Sequence, residues 1–132
     1  MRDPIAFLSI DDVLESHLFQ VETYGGDSGL RDAGLLESAI AQPQASFGGE
    51  YLHAFPFEMA AACLFHLVMN HPFVDGNKRV GLETALIFLE INGIDIVATD
   101  EELVTAVLDI ATSRLSKKDL ALFFQSKQVA SN

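Results

Sequence analysis

The amino-acid sequence predicts an all-α protein, a compact bundle of about six helices with room for one small β-hairpin flap. Three observations predict it. Apolar residues recur at i, i+3, i+4 and i+7 through most of the chain. Helix-start signatures, a Ser or Thr followed three residues later by an acid, occur at Ser9/Asp12, Thr99/Glu102 and Ser116/Asp119. Two long segments, Pro56 to Asn70 and Asn77 to Asn92, are apolar nearly all round, as helices at the centre of a bundle are.

The elements follow in order. A first helix begins after Ser9 and carries Leu14, Leu18 and Val21 on one face, with His17 toward the core. Gly25-Gly26-Asp27-Ser28-Gly29 ends it, because three glycines in five residues favour turns. Asp32 caps a short second helix with Leu35, Leu36, Ala39 and Ile40 on its apolar face, and Pro43 stops it. Gln44 to Phe55 has no period and contains Gly48-Gly49, so it reads as a loop with short extended pieces. Glu58 is the only charge in the first central segment; Glu83, Thr84 and Glu90 form the polar stripe of the second. Ile94 to Ala98 reads as a short strand or extended link. The last two helices turn Leu103, Val107 and Ala111, then Leu120, Phe123 and Phe124, inward. The length of 132 residues fits one domain, 1–132.

Composition excludes several classes. Apolar residues at 49% and charged residues at 20% describe a folded chain. Nineteen acidic side chains against 8 basic ones give a formal net charge of −11, which argues against nucleic acid as a direct partner. Cys63 is alone, so no internal disulfide is expected; it reads as a small buried hydrophobe in a reducing, cytoplasmic compartment. The longest uncharged run, Met59 to Val74, is interrupted by polar residues and Pro72, and is shorter than the ~20 apolar residues of a bilayer span. Met1-Arg2-Asp3-Pro4 is not the start of a secretory signal, so no membrane association is expected. The cations are unevenly placed. Between Asp3 and Asn77 the only one is Arg31, and then Lys78 and Arg79 stand side by side.

The chemistry-bearing types concentrate in His71-Pro72-Phe73-Val74-Asp75-Gly76-Asn77-Lys78-Arg79, between the two central helices. Gly76 lets the backbone approach a ligand and turn into the next helix without a Cβ in the way. The first N–H groups of that helix lack intrahelical partners and, with the helix dipole, form an anion site. Lys78 and Arg79 add positive charge where a plain helix prefers acids, which makes sense if a phosphate-bearing ligand lies there. Asp75 can hold the Mg²⁺ that accompanies phosphates, and histidine, at His71, is the side-chain type that exchanges protons near neutral pH. Base, metal ligand, amide cradle and cations are the parts of a nucleotide-phosphate transfer site.

This stretch resembles the signature of the Fic/Doc family, and its Asn-Lys-Arg ending resembles the death-on-curing (Doc) branch of type II toxin–antitoxin toxins. Gly25-Gly26 through Arg31-Asp32, Leu35-Leu36-Glu37-Ser38-Ala39 and Phe47-Gly48-Gly49 are similar to that branch too, so the likeness covers residues 5 to 95. The resemblance implies that His71 deprotonates a hydroxyl of a target protein. It implies that Asp75 binds the metal, that Gly76, Asn77, Lys78 and Arg79 hold the phosphates of ATP, and that Phe73 anchors the loop. The general Fic pattern has a glycine where Lys78 stands and a second arginine where this chain has Leu82. That departure resembles Doc and implies an ATP-dependent protein phosphotransferase, a kinase acting on a translation elongation factor to arrest translation. The alternatives are AMP transfer by the same site and a non-catalytic nucleotide- or partner-binding regulatory module.

The family's inhibitory Ser/Thr-x-x-x-Glu helix has only a poor match at Ser46 and Glu50, so the resemblance implies a separate antitoxin that supplies an inhibitory segment in trans. His66 and His17 read as hydrogen-bonded core histidines, and His53 as part of a surface loop with a target-positioning flap as the alternative. Arg31-Asp32 reads as an exposed ion pair, and its likeness to the family implies a further role.

Overall fold

A computed structural model describes residues 4–130. Its helices are α1 (Ile10–Tyr24), α2 (Ala33–Ala41), α3 (Phe57–Asn70), α4 (Asn77–Ile91), α5 (Asp100–Ala111) and α6 (Lys117–Ser126). A 3₁₀ turn (Gln42–Gln44) leads from α2 into an antiparallel hairpin of β1 (Ser46–Phe47) and β2 (Glu50–Tyr51), with Phe47 opposite Glu50. The fold is the predicted helical bundle with its small hairpin.

The helix starts form where the capping residues stand. Ser9 and Thr99 each make a reciprocal capping box, with Asp12 and Glu102, and the Asp32 and Ser116 side chains each accept an N–H at N3. The Asp12 carboxyl is held below its ordinary value by its hydrogen bonds from Ser9.

The centre is α3, which packs against α2, α4, α5 and α6. Met59, Ala60, Ala61, Ala62, Cys63, Leu64, Leu67 and Val68 are all buried, which leaves the helix almost no solvent face. α3 and α4 approach closely at Gly81, where an added Cβ would lie 3.0 Å from a Val68 methyl and 3.3 Å from the Leu64 carbonyl. A second apolar cluster of Val13, Leu36, Ala39, Leu67, Phe73 and Val80 lies where α1, α2, α3 and α4 meet, beneath the α3–α4 loop.

One expectation changes. On α1 the buried residues are Val13, His17 and Gln20, while Leu14 and Leu18 are exposed. The hairpin lies beside Phe7 and Phe88, with ring centroids 5.8 Å apart for Tyr51–Phe7 and 5.9 Å for Phe7–Phe88. It adjoins the start of α3, whereas the His71 loop follows the end of that helix, about 20 Å away at 1.5 Å per residue. Ser46 and Glu50 stand on opposite strands, so no inhibitory helix forms there.

Candidate active site

The site begins at the end of α3. His71 is its C-cap, in the left-handed region at φ 54°, ψ 51°. Glycine usually takes that position; a side chain there costs roughly 1–2 kcal/mol. The His71 Nδ1 lies 3.3 Å from the Val68 carbonyl. A carbonyl only accepts, so Nδ1–H is the donor in this contact, and in the neutral imidazole the lone pair then sits on Nε2.

The segment 27–32 runs alongside the loop. Leu30 and Phe73 face each other in an antiparallel bridge, with Arg31 N–H donating to Pro72 O (2.7 Å) and Val74 N–H to Gly29 O (2.9 Å). Asp32 N–H also donates to Pro72 O. The Arg31 guanidinium donates through Nε to His71 O (2.6 Å) and through Nη2 to Asn70 O (2.9 Å). The Asp32 carboxylate meanwhile accepts the Leu35 N–H of α2. Arg31 and Asp32 therefore do not form the expected ion pair; each is engaged elsewhere.

Inside the loop, Phe73 is 1% exposed and its ring stacks on His17, with centroids 3.7 Å and planes 9° apart. His17 Nε2–H donates to the Asp75 carbonyl at 2.7 Å. His17 is thus a core histidine whose partner is the loop itself. Asn77 is buried, its Oδ1 accepting Phe73 N–H and its Nδ2 donating to Phe73 O, both at 2.9 Å. Its side chain thus staples the loop with one bond at each polar group, and Asn77 also lines the cleft with its backbone amide at the helix start.

Gly76 precedes α4 at φ 82°, a conformation only glycine adopts freely; a Cβ there would lie 3.4 Å from His17 Nε2. No side chain caps α4, and its first turn holds no acid. The N–H groups of Asn77, Lys78 and Arg79 precede the first intrahelical bond, from Val80 N–H to Gly76 O. They open on a cleft of about 470 Å³ lined by Tyr24, Gly25, Gly26, His71 and Val74 through Arg79. The exposed Lys78 and Arg79 bring charge to its rim, and the Arg79 guanidinium stands 4.5 Å from the centre of the Tyr24 ring, a cation–π contact. The Asp75 Oδ2 accepts the Asp27 N–H at 3.0 Å.

With this geometry in view, a family model described as the Fic/DOC family matches residues 7–89, from the segment before α1 to the end of α4. The chain belongs to the Fic/DOC family. It is 40% identical to the protein named Toxin Doc of Mycolicibacterium smegmatis (strain ATCC 700084 / mc(2)155) over 92 residues, 70% of this chain and 68% of that one. It is 32% identical to the protein named Protein kinase doc of Escherichia phage P1 over 114 residues, 86% of this chain and 89% of that one.

The structure brings all seven of the predicted loop positions of this Fic/DOC chain together: His71, Asp75, Gly76, Lys78 and Arg79 on the cleft, Phe73 and the Asn77 side chain beneath it. Sequence reasoning missed four neighbours, Tyr24, Asp27, His17 in its loop contact and Arg31 in its clamp. Only Arg31 carried a signal, as the sole cation between Asp3 and Asn77.

His53 and His66 stand away from the cleft of this Fic/DOC chain. Lys117 Nζ donates to His66 Nε2 at 3.1 Å, and burial, with the charge of Lys117, pushes His66 down to about 4. His53 lies half-buried beside Lys117 and is lowered by burial too, so it is less of a surface residue than its loop implied. Burial pushes the Cys63 thiol up to about 12, which makes it inert as a nucleophile. Among the described residues no three His, Cys, Asp or Glu cluster as a metal cage, and no helix is long and apolar enough to cross a membrane.

Proposed function

We propose that this Fic/DOC chain is a cytoplasmic toxin-type transferase that uses ATP and Mg²⁺ to phosphorylate a hydroxyl of a target protein, a translation elongation factor, and so arrests translation. The observation that carries the reading is the contact of His71 Nδ1 with the Val68 carbonyl, which assigns the Nδ1–H tautomer to the neutral ring. Its Nδ1–H is committed to Val68 O, which leaves Nε2 as the proton acceptor in a residue that lines the cleft. A hydroxyl bound there loses its proton to Nε2 as its oxygen attacks the phosphorus, and the nucleoside diphosphate leaves. The amides of Asn77, Lys78 and Arg79, with the Lys78 and Arg79 charges, hold the phosphate oxygens.

The residues fit a magnesium ion that arrives on the nucleotide. One Asp75 oxygen takes the Asp27 amide, the other has no protein partner among the described residues, and no protein cage is needed when phosphates supply the remaining ligands. When bound, the ion neutralises charge on the phosphates.

Two observations favour phosphoryl transfer over AMP transfer. One relative bears the name Protein kinase doc. At Leu82, where the general Fic pattern has a second arginine, the side chain packs against the main core, so α4 offers no further cation to orient a triphosphate for nucleotidyl transfer. The relative named Toxin Doc supports the toxin reading and with it an antitoxin partner. The groove between α1 and α4, about 450 Å³, supports that partner. Phe19 and Ile91 are exposed in it and Asp12, Glu15 and Glu83 are acidic, which suits a helical antitoxin segment with one apolar and one basic face. High salt should weaken such binding.

The test is label transfer. Incubated with a cell lysate, the protein should transfer label from γ-labelled ATP and none from α-labelled ATP, adding about 80 Da to the target, where AMP transfer adds about 329 Da. ATP binding with neither label transferred would instead show a regulatory module.

A further inference from the structure

We propose that Arg31 is the positioning residue of the α3–α4 loop, holding His71 in the left-handed conformation that aims its ring; the catalytic part of this inference rests on the function proposed above. The argument starts from α3. The last carbonyls of a helix lack intrahelical partners, and the last turn of α3 contains no basic residue to meet them. The cation comes from elsewhere in the chain. Arg31, 39 and 40 residues away in sequence, places one guanidinium donor on Asn70 O and another on His71 O.

Those two carbonyls belong to the two peptide planes that flank the His71 Cα. The plane bearing Asn70 O sets φ of His71, and the plane bearing His71 O sets ψ. A rigid planar fork that binds both fixes both angles of a residue whose conformation is unfavourable without a glycine. The fork is itself anchored, because the Arg31 and Asp32 N–H groups bind Pro72 O, the next carbonyl along. Asp32 does not compete for the guanidinium, since its carboxylate caps α2.

The consequence reaches the ring. The Nδ1–H bond to Val68 O exists only while the His71 backbone turns back over the end of α3. Once the fork is removed, His71 relaxes toward ordinary backbone regions, Nδ1 loses Val68 O, and the imidazole no longer presents Nε2 as its fixed acceptor. Arg31 touches none of the phosphate-facing groups, so ATP binding stays.

The experiment compares the wild-type chain with Arg31→Ala and Arg31→Lys in γ-labelled ATP transfer to lysate proteins at varied ATP concentration, and follows the histidine ring nitrogens by NMR. Arg31→Ala should lower the maximal rate about 10- to 100-fold with the half-saturating ATP concentration changed less than about threefold. Guanidinium ion, kept below unfolding concentrations, should restore part of that rate because the Arg31 position is exposed. Arg31→Lys keeps the charge but not the fork, and should fall between. In NMR, His71 should change from the single Nδ1–H tautomer to a mixture, and its Cα shift should leave the left-handed range. A folded Arg31→Ala with the wild-type rate, or with its whole loss in ATP affinity, overturns the proposal, as does an unchanged His71 tautomer and Cα shift. If the wild-type protein labels nothing, the proposed function fails, and the NMR comparison still decides the clamp. If Arg31→Ala does not fold, Arg31→Lys carries the same two readouts.

Discussion

The starts of α4 and α5 make opposite use of the same helix end. At α5, Thr99 and Glu102 form a reciprocal capping box, and Asp100, Glu101 and Glu102 place acid against the positive end of the dipole. At α4, Gly76 offers no side-chain cap, the first turn holds no acid, and Lys78 and Arg79 stand where electrostatics disfavours them. One end is satisfied from within the chain. The other has no side-chain cap and no acid, so its first N–H groups and its cations face the cleft. α1, α2 and α6 follow the pattern of α5, each with its own side-chain cap. The start of α3 also lacks a side-chain cap but carries Glu58 in its first turn, so what sets α4 apart is the combination of no cap, no acid and two adjacent cations.

The comparison sharpens most at the residue that faces the open end. His71→Ala should abolish label transfer and growth arrest, while the protein keeps its fold and its ATP affinity. Because alanine also relieves little of the left-handed strain, His71→Gly is the informative partner. It should be equally inactive yet more stable by roughly 1 kcal/mol in urea unfolding. An active His71→Ala protein would sink the assignment of the base.

Closing the open end should have the next largest effect. Gly76→Asp puts a carboxylate where phosphate oxygens are proposed to lie, and ATP affinity measured by calorimetry should fall about tenfold or more. Gly76→Ala is its control, since both variants share the backbone strain at φ 82° and the tight 3.4 Å approach to His17, and only the first adds negative charge. Equal losses in the two variants would show that strain, not charge, governs the site.

Asn77→Ala separates the staple from the ligand site. It leaves Phe73 N–H and O without their partners in a buried loop and should cost about 2–4 kcal/mol of stability. Thr99→Ala, at the satisfied end, should cost about 1 kcal/mol and leave ATP binding untouched. A change in ATP affinity on Thr99→Ala would break the division between the two ends.

Much of this division was legible in the sequence. The caps at Ser9, Asp32, Thr99 and Ser116 act within three residues, so local pattern finds them, and the loop residues were found because cations and an acid around a glycine have few other uses. What was not legible depends on partners far along the chain. Hydropathy put Leu14 and Leu18 inward on α1, yet the buried stripe is Val13, His17 and Gln20, offset because the helix packs on the loop through a histidine whose hydrogen-bond partner is 58 residues away. Arg31 looked like half of an ion pair because its neighbour is an aspartate, whereas its real partners are carbonyls at Asn70 and His71. Asn77 read as a phosphate ligand because its type suits phosphate, and only the geometry of the turn shows that its side chain also staples Phe73.

The finest test of the comparison is α6, whose start repeats the sequence sign of α4. Lys117 and Lys118 are adjacent cations at a helix N-terminus, as Lys78 and Arg79 are. The difference is internal satisfaction, since Ser116 caps the helix and Lys117 donates to His66. That pairing requires His66 to be neutral, which burial and the lysine charge enforce by holding it at about 4, below the ordinary 6.5. The unfolded chain therefore takes up a proton at this histidine near pH 6.5 that the folded chain refuses until about pH 4. The contribution of this site is complete above pH 6.5 and is lost as the pH falls from there toward 4. His66→Gln keeps an acceptor for Lys117 without a titrating group. Its urea midpoint should thus fall less than that of the wild type between pH 7 and pH 4.5, with the remaining decline common to both proteins coming from their carboxylates. Equal declines would mean that His66 is not held neutral, and that the doublet of α6 is as unmet as the doublet of α4.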